Sequence, residues 1–129
     1  MRRQCGKTVL VVEDDPGVRE AIAEVLQDHE YHPVSACNGA EALEQLRDAP
    51  QMPCVILLDM MMPTMDGFQF RAAQESDPSL RDIPVVLLSA HADADTAAAR
   101  MKADGFLKKP VELETLLDTI ERFCRGTGS

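Results

Sequence analysis

Aromatic residues are scarce in this sequence, which has no tryptophan, one tyrosine and four phenylalanines among its 129 residues. The core must therefore be built mainly from valine, leucine, isoleucine, alanine and methionine. A chain of this length usually forms one domain and buries roughly two-thirds of its unfolded surface. We predict a single domain over residues 1–129, with its core at about 7–124 and a short polar tail at 125–129 that frays.

Long apolar segments are also missing. No run reaches the ~18 apolar residues of a transmembrane helix, and the residues after Arg2 and Arg3 do not form the apolar region of a signal peptide. The formal net charge of −9 disfavours direct contact with nucleic acid or with an anionic membrane surface. We therefore expect a cytoplasmic protein without membrane insertion. The acidic excess either keeps the protein soluble or marks acids that gather around a cation.

The cysteines follow no recognised binding pattern. Cys5, Cys37, Cys54 and Cys124 include no C-x-x-C pair, and none stands at a zinc-site spacing from a histidine. Buried thiols behave as small apolar side chains. We therefore expect free cysteines, most of them buried.

The sequence does contain a regular alternation of short apolar runs with helix-like stretches. Short apolar runs that stop abruptly are typical of strands buried on both faces. The predicted strands are Thr8–Val12, His32–Ala36, Cys54–Leu58, Pro84–Leu88 and Gly105–Leu107. The predicted helices are Pro16–Glu30, Ala40–Asp48, Phe68–Ser76, Asp93–Ala103 and Glu112–Cys124. This alternation predicts right-handed crossovers and a parallel sheet with helices on both faces.

Polar residues that could bind a ligand or react follow the ends of the predicted strands. Ligands of open α/β sheets bind at that edge. These polar residues are Glu13, Asp14 and Asp15 after the first strand, Asp59 after the third, Ser89 after the fourth, and Lys108 and Lys109 after the fifth. Carboxylates that share a pocket repel each other, and a hard divalent cation such as Mg²⁺ relieves this repulsion through oxygen ligands. A carboxylate beside such a cation can accept a phosphoryl group.

Four motifs in a fixed order carry a family resemblance. VLVVEDDP, LLDMMMPTMDG, VVLLSA and GFLKKP together resemble the receiver domains of bacterial response regulators, chemotaxis regulators included. The resemblance runs from Thr8 to about Cys124. It implies a flavodoxin-like (βα)5 fold, in which a doubly wound five-stranded parallel sheet has the strand order 2-1-3-4-5. That order comes from the resemblance and not from the residues themselves.

The resemblance also implies a metal site and a phosphoacceptor. Asp59 matches the phosphoacceptor and is also one of the implied metal ligands. Asp14 matches the direct Mg²⁺ ligand, and Glu13 matches the acid that acts on the metal through water. Met61 would supply its backbone carbonyl to the metal.

A switch is implied by three further positions. Ser89 matches the switch hydroxyl, Lys109 the phosphate-binding lysine and Phe106 the switch aromatic. In the family, phosphorylation draws the hydroxyl inward and the ring follows. The surface formed by the fourth helix, the fifth strand and the fifth helix is thereby remodelled, which is a shift between two populations.

Some of these positions have simpler explanations. Asp15 is interpreted as the cap of the helix that begins at Pro16. Lys108 is interpreted as a solvated neighbour of Lys109. Phe106 could pack in the core, and His91 either tunes hydrolysis of an aspartyl phosphate or is a solvated loop residue.

Three features depart from the family pattern. Glu13 replaces a common Asp, and its extra methylene could loosen the metal contact. The segment between Ser89 and Lys109 is short, which predicts a short fourth helix. Gln74 stands where the third helix usually presents an apolar residue.

The favoured function is a phosphorylatable receiver served by a sensor histidine kinase or a histidine phosphotransfer protein, with an unidentified protein downstream. Such a protein is not an enzyme beyond Mg²⁺-dependent self-phosphorylation from a phosphodonor and slow autodephosphorylation. The alternative is a receiver-like adaptor that works without phosphorylation. An aspartyl-phosphate hydrolase is disfavoured because Met61 occupies the position of its second catalytic acid. No linker or output segment is recognisable, which favours a stand-alone receiver over a fragment of a longer regulator.

Overall fold

The computed structural model describes residues 8–49, 52–60, 67–89, 103–109 and 111–127, with side chains of the last helix up to Cys124. Its strands are β1 (Thr8–Val12), β2 (His32–Ala36), β3 (Val55–Asp59), β4 (Val85–Ser89) and β5 (Gly105–Lys108). Its helices are α1 (Pro16–Asp28), α2 (Gly39–Asp48), α3 (Gly67–Glu75) and α4 (Leu113–Thr127). The helix predicted over Asp93–Ala103 falls outside the described residues except for Ala103, which is not helical.

The five strands form one parallel sheet in the order β2-β1-β3-β4-β5, which confirms the predicted flavodoxin-like fold. Every residue of β3 and of β4 is buried, as expected for central strands that are covered on both faces. The strand β2 is half exposed and contains Pro33, which an edge strand tolerates.

The sheet separates two apolar clusters, because side chains of a strand alternate between its faces. Val9 and Val11 of β1 point to the side covered by α1 and α4, where Leu26 and Ile120 are fully buried. Leu10 and Val12 point to the opposite side, where α2 and α3 pack. The carboxyl ends of the buried strands β3 and β4 thus lie between two packed layers.

The start of α1 is capped as the sequence predicts. Asp15 Oδ1 accepts hydrogen bonds from the backbone N–H groups of Gly17 at 2.9 Å and Val18 at 3.3 Å. Pro16 occupies the first turn, where its missing N–H costs nothing. The interpretation of Asp15 as a helix cap is therefore confirmed.

Gln74 of α3 is fully buried, and the structure explains why a polar residue is tolerated there. Its amide nitrogen donates to the backbone carbonyls of Leu80 at 2.9 Å and Ile83 at 3.0 Å. Its oxygen accepts from Arg71 Nη1 at 2.7 Å. The Gln74 side chain therefore supplies hydrogen-bond donors to backbone carbonyls of the segment that leads into β4. An apolar residue could not do this.

The expectation of free cysteines is wrong for Cys54 and Cys124, which form a disulfide. Cys54 precedes β3 and Cys124 lies near the end of α4, so the two are 70 residues apart in sequence but have Cα atoms 5.0 Å apart. Their meeting depends on how α4 crosses the sheet, which cysteine spacing does not reveal. Cys37 is exposed and free.

Among the described residues, none of the helices has the length and the apolar character needed to span a membrane.

Candidate functional site

Strand register brings the predicted acids together. Val12 of β1 pairs with Leu58 of β3, so the residues that follow them, Glu13 and Asp59, lie side by side at the carboxyl edge of the sheet. Both acids are buried, with Glu13 1% and Asp59 4% exposed, whereas Asp14 is exposed. Ligand oxygens of these three carboxylates lie within 4.8 Å of one another. We call Glu13, Asp14, Asp59 and the nearby Lys109 the acidic pocket.

The backbone of Glu13 is held from two directions. Its N–H donates to the carbonyl of Ala36 at 3.0 Å, beyond the end of β1. Its own carbonyl accepts a hydrogen bond from Arg19 Nη1 at 2.8 Å. The side chain is fixed in turn because Glu13 Oε2 accepts from the N–H of Asp15 at 3.2 Å. This loop therefore presents its carboxylates from a defined backbone.

Lys109 enters the same pocket from the end of β5. Its backbone N–H donates to the carbonyl of Ser89 at 2.9 Å, which ties it to the end of β4. Its Nζ lies 2.8 Å from Glu13 Oε1 and 3.3 Å from Asp59 Oδ1. One ammonium thus stands between two buried carboxylates.

Burial and neighbouring charges in this pocket shift the pKa values of Asp59 and Lys109. Burial, followed by the negative charge of Glu13, raises the pKa of Asp59 to about 7, although the positive charge of Lys109 opposes this rise. Burial disfavours the charged form of Lys109, but its hydrogen bond to Glu13 and the charge of Asp59 outweigh burial and raise the pKa of the ammonium. The pocket therefore keeps a charged lysine beside carboxylates that resist ionising together.

The same residues fit a hard divalent cation. Three carboxylates face one ammonium, so the pocket carries more negative than positive charge. Both buried carboxylates depend on the same ammonium, since Lys109 Nζ lies 2.8 Å from Glu13 Oε1 and 3.3 Å from Asp59 Oδ1. Carboxylate oxygens are the ligands that Mg²⁺ takes in proteins. Met61, the predicted backbone ligand, lies outside the described residues.

The predicted switch residues flank the acidic pocket. Ser89 is the last residue of β4 and is 2% exposed. Phe106 lies on β5 and is 40% exposed, so it is not a core residue. Lys108 is exposed, in agreement with its interpretation as a solvated neighbour. The switch roles of Ser89 and Phe106 stay predictions, and His91 lies outside the described residues.

Two residues position the site through backbone contacts that the sequence does not reveal. Arg19, one turn into α1, binds the carbonyl of Glu13. Gly67 begins α3 against the residue that follows Asp59, since its N–H donates to the carbonyl of Met60 at 3.0 Å. A Cβ atom at Gly67 would lie 3.2 Å from Met60 Cα, so the close approach favours glycine. The glycine that closes the DMMMPTMDG motif was the available signal.

Comparison with known proteins defines the class of this fold and site. Residues 9–121 match the family described as the response regulator receiver domain. The chain therefore belongs to the receiver domain family of two-component signalling, as the sequence motifs predict.

Particular relatives come from several bacteria. The chain is 33% identical over 121 residues to the phosphate regulon transcriptional regulatory protein PhoB of Escherichia coli, covering 92% of this chain and 52% of PhoB. It thus spans about half the length of the curated relatives that it matches. The chemotaxis protein CheY4 of Vibrio cholerae has a TM-score of 0.81 at 32% identity, covering 90% of this chain and 97% of CheY4.

A more distant structure shares the fold. The receiver domain of sensor histidine kinase PA1611 from Pseudomonas aeruginosa has a TM-score of 0.83 at 22% identity, covering 93% of this chain and 98% of that domain. That receiver domain was solved with a magnesium ion coordinated in its active site cleft. At this identity the likeness shows the fold.

Proposed function

We propose that Asp59 accepts a phosphoryl group from the phosphohistidine of a sensor histidine kinase or a histidine phosphotransfer protein. The observation that carries this proposal is the buried Asp59 carboxylate, which lies 3.3 Å from Lys109 Nζ and beside two further carboxylates. A nucleophilic carboxylate, a cation for the phosphoryl oxygens and a set of metal ligands are the parts that this chemistry requires.

In the transfer step, an Asp59 oxygen attacks phosphorus, and the bond between phosphorus and the donor's histidine nitrogen breaks with its electron pair passing to the imidazole. Lys109 Nζ is placed to bind a phosphoryl oxygen through a charge-assisted hydrogen bond. Ser89, buried at the end of the neighbouring strand, would supply a hydroxyl donor. The chain thus contributes the nucleophile and two groups that stabilise the product.

The acids of the β1–α1 loop have a different role. Asp14 and Glu13 would hold Mg²⁺ together with Asp59, and Mg²⁺ supplies positive charge that neutralises the phosphoryl oxygens. The magnesium-containing cleft of the Pseudomonas receiver domain supports this assignment at the level of the fold. Lys109 then exchanges its ion pair with Glu13 for one with the phosphoryl group.

Phosphorylation of Asp59 would change the conformation of a surface that binds a partner. We infer that Ser89 and Phe106 transmit this change to β5 and to the last helix, where an unidentified protein partner binds. The chain has no enzymatic activity in this proposal beyond self-phosphorylation and slow autodephosphorylation. It acts in the cytoplasm without touching nucleic acid itself, consistent with its net charge of −9.

The experiment that tests the proposal is the intact mass of the protein after incubation with an acyl phosphate, with and without Mg²⁺. We expect a Mg²⁺-dependent gain of one phosphoryl group that Asp59→Asn abolishes. Asp28→Asn, which removes an exposed carboxylate at the end of α1, is the matched control and should keep the gain. No gain in the folded wild-type protein would contradict the proposal and favour the phosphorylation-independent adaptor.

A further inference from the structure

Cys54 and Cys124 meet on the side of the sheet covered by α1 and α4. Their Cα atoms are 5.0 Å apart, inside the range of about 4.4 to 6.8 Å that a disulfide spans. The bond joins the residue before β3, the strand that ends in Asp59, to the last helix. The phosphorylation chemistry uses neither cysteine, so the pair needs an explanation of its own.

The surroundings accommodate the reduced pair as well as the disulfide. Both cysteines are buried among apolar residues such as Leu116 and Ile120, where thiols pack as small apolar side chains. Cys54 Sγ lies 3.3 Å from the carbonyl oxygen of Thr8, which can accept a hydrogen bond from the thiol once the bond is reduced. The core therefore stays filled and its polar groups stay satisfied in either form.

The two sulfurs differ in access. Cys54 is 1% exposed, whereas Cys124 is 7% exposed and lies one turn before the end of α4 at Thr127. Helix ends open at low free-energy cost, which admits a small thiol. Exchange requires attack on a reachable sulfur. Attack at Cys124 Sγ would release Cys54 as the thiolate, and a second thiol would complete the reduction.

We propose that Cys54 and Cys124 form a reversible redox modification site whose co-reactant is a low-molecular-weight thiol or disulfide. In the oxidising direction the two thiols lose two protons and two electrons to form the bond, and one small disulfide is reduced to two thiols. The bond fastens the end of α4 to the start of β3, and reduction releases it. This device acts beside phosphorylation and does not require Asp59.

The test uses the wild-type protein, because oxidation and reduction need no substitution. The protein is equilibrated with glutathione disulfide or with glutathione, quenched, unfolded and alkylated, and its peptides are identified by mass. We expect oxidation to block alkylation of both Cys54 and Cys124, and glutathione to restore it without unfolding. Backbone hydrogen exchange near the end of α4 should then speed up on the order of tenfold in the reduced form.

The chain supplies a matched control in Cys37, which is exposed. A hydrogen bond to the Glu41 carboxylate raises the pKa of the Cys37 thiol, so a smaller fraction of it is thiolate. Cys37→Ala should leave the redox response intact, whereas Cys54→Ala or Cys124→Ala should abolish the difference in exchange between the two conditions.

Three results would overturn the inference. They are full alkylation of both cysteines after oxidation, a bond that glutathione cannot reduce in the folded protein, and equal hydrogen exchange of α4 in the two forms. None of them bears on Asp59, since phosphorylation is read separately as a gain of mass. If the protein gained no phosphoryl mass but kept its redox response, only the phosphoacceptor proposal would be contradicted.

Discussion

Two groups of buried polar residues within the described part of the chain are built in opposite ways. On the side of α3, Gln74 satisfies two backbone carbonyls and Arg71 Nη1 with three hydrogen bonds. In the acidic pocket, by contrast, the two buried carboxylates of Glu13 and Asp59 share one ammonium, that of Lys109.

The difference separates a polar group with a structural role from a group of carboxylates that could hold a metal ion. Buried polar networks that are fully satisfied rigidify a fold, whereas partly compensated charges persist where function needs them. Gln74 holds the segment that enters β4. The acidic pocket has more carboxylates than cations among the described residues, and we propose that Mg²⁺ balances them.

The largest expected effect is a loss of stability when Gln74 is replaced. Gln74→Leu removes the amide donor from the carbonyls of Leu80 and Ile83, although Leu80 keeps its hydrogen bond from the Ile83 N–H, and it removes the amide acceptor of the buried Arg71 guanidinium. We expect a loss of about 3 kcal/mol in the free energy of unfolding, measured by urea denaturation and unchanged by Mg²⁺. Exposed Gln27→Leu should change it by less than about 0.5 kcal/mol. Equal stabilities for the two variants would remove the structural half of the comparison.

A smaller effect of opposite sign is expected in the acidic pocket. Asp59→Asn removes one of two buried carboxylates that repel each other, so the metal-free variant should be more stable than the wild type by about 1 kcal/mol at pH 8. Denaturation in the presence of a chelator measures this difference. A variant that is less stable than the wild type would show that the ion pair with Lys109 outweighs the repulsion.

A third effect is a dependence of the free energy of unfolding on pH. Because the folded-state pKa of Asp59 is about 7 against an ordinary 3.8, the folded state binds more protons between these values. The stability that Asp59 contributes is therefore highest in acid, falls as pH rises through this window and levels off above it. The free energy of unfolding of Asp59→Asn is subtracted from that of the wild type at each pH, both in chelator. The difference isolates the contribution of Asp59. A difference that rises with pH would reverse the sign of the shift.

Most of the fold could be predicted from the sequence, because apolar runs mark the strands and the motifs carry the strand order. The boundaries moved slightly, since Asp59 and Ser89 belong to the ends of β3 and β4 instead of following them. The gathering of Glu13, Asp14, Asp59 and Lys109 was equally predictable, because carboxyl ends of parallel strands share one edge.

What could not be predicted depends on contacts between elements distant in sequence. The disulfide requires the path of α4 across the sheet, and no spacing rule pairs Cys54 with Cys124. The role of Gln74 requires the position of the Leu80 and Ile83 carbonyls, which a polar residue in an apolar stripe does not reveal. Arg19 was missed because its contact is with a backbone atom and leaves no pattern of side chains.

The central claim is that the acidic pocket is completed by Mg²⁺, and its most direct test is the stability of the protein as Mg²⁺ is titrated at constant ionic strength. We expect the free energy of unfolding of the wild type to rise by about 2 to 3 kcal/mol at saturating Mg²⁺, because only the folded state assembles the three carboxylates. Asp14→Ala should lose most of this gain, whereas Asp28→Asn should keep it. A wild-type stability that does not respond to Mg²⁺, or responds equally in Asp14→Ala, would contradict the assigned site.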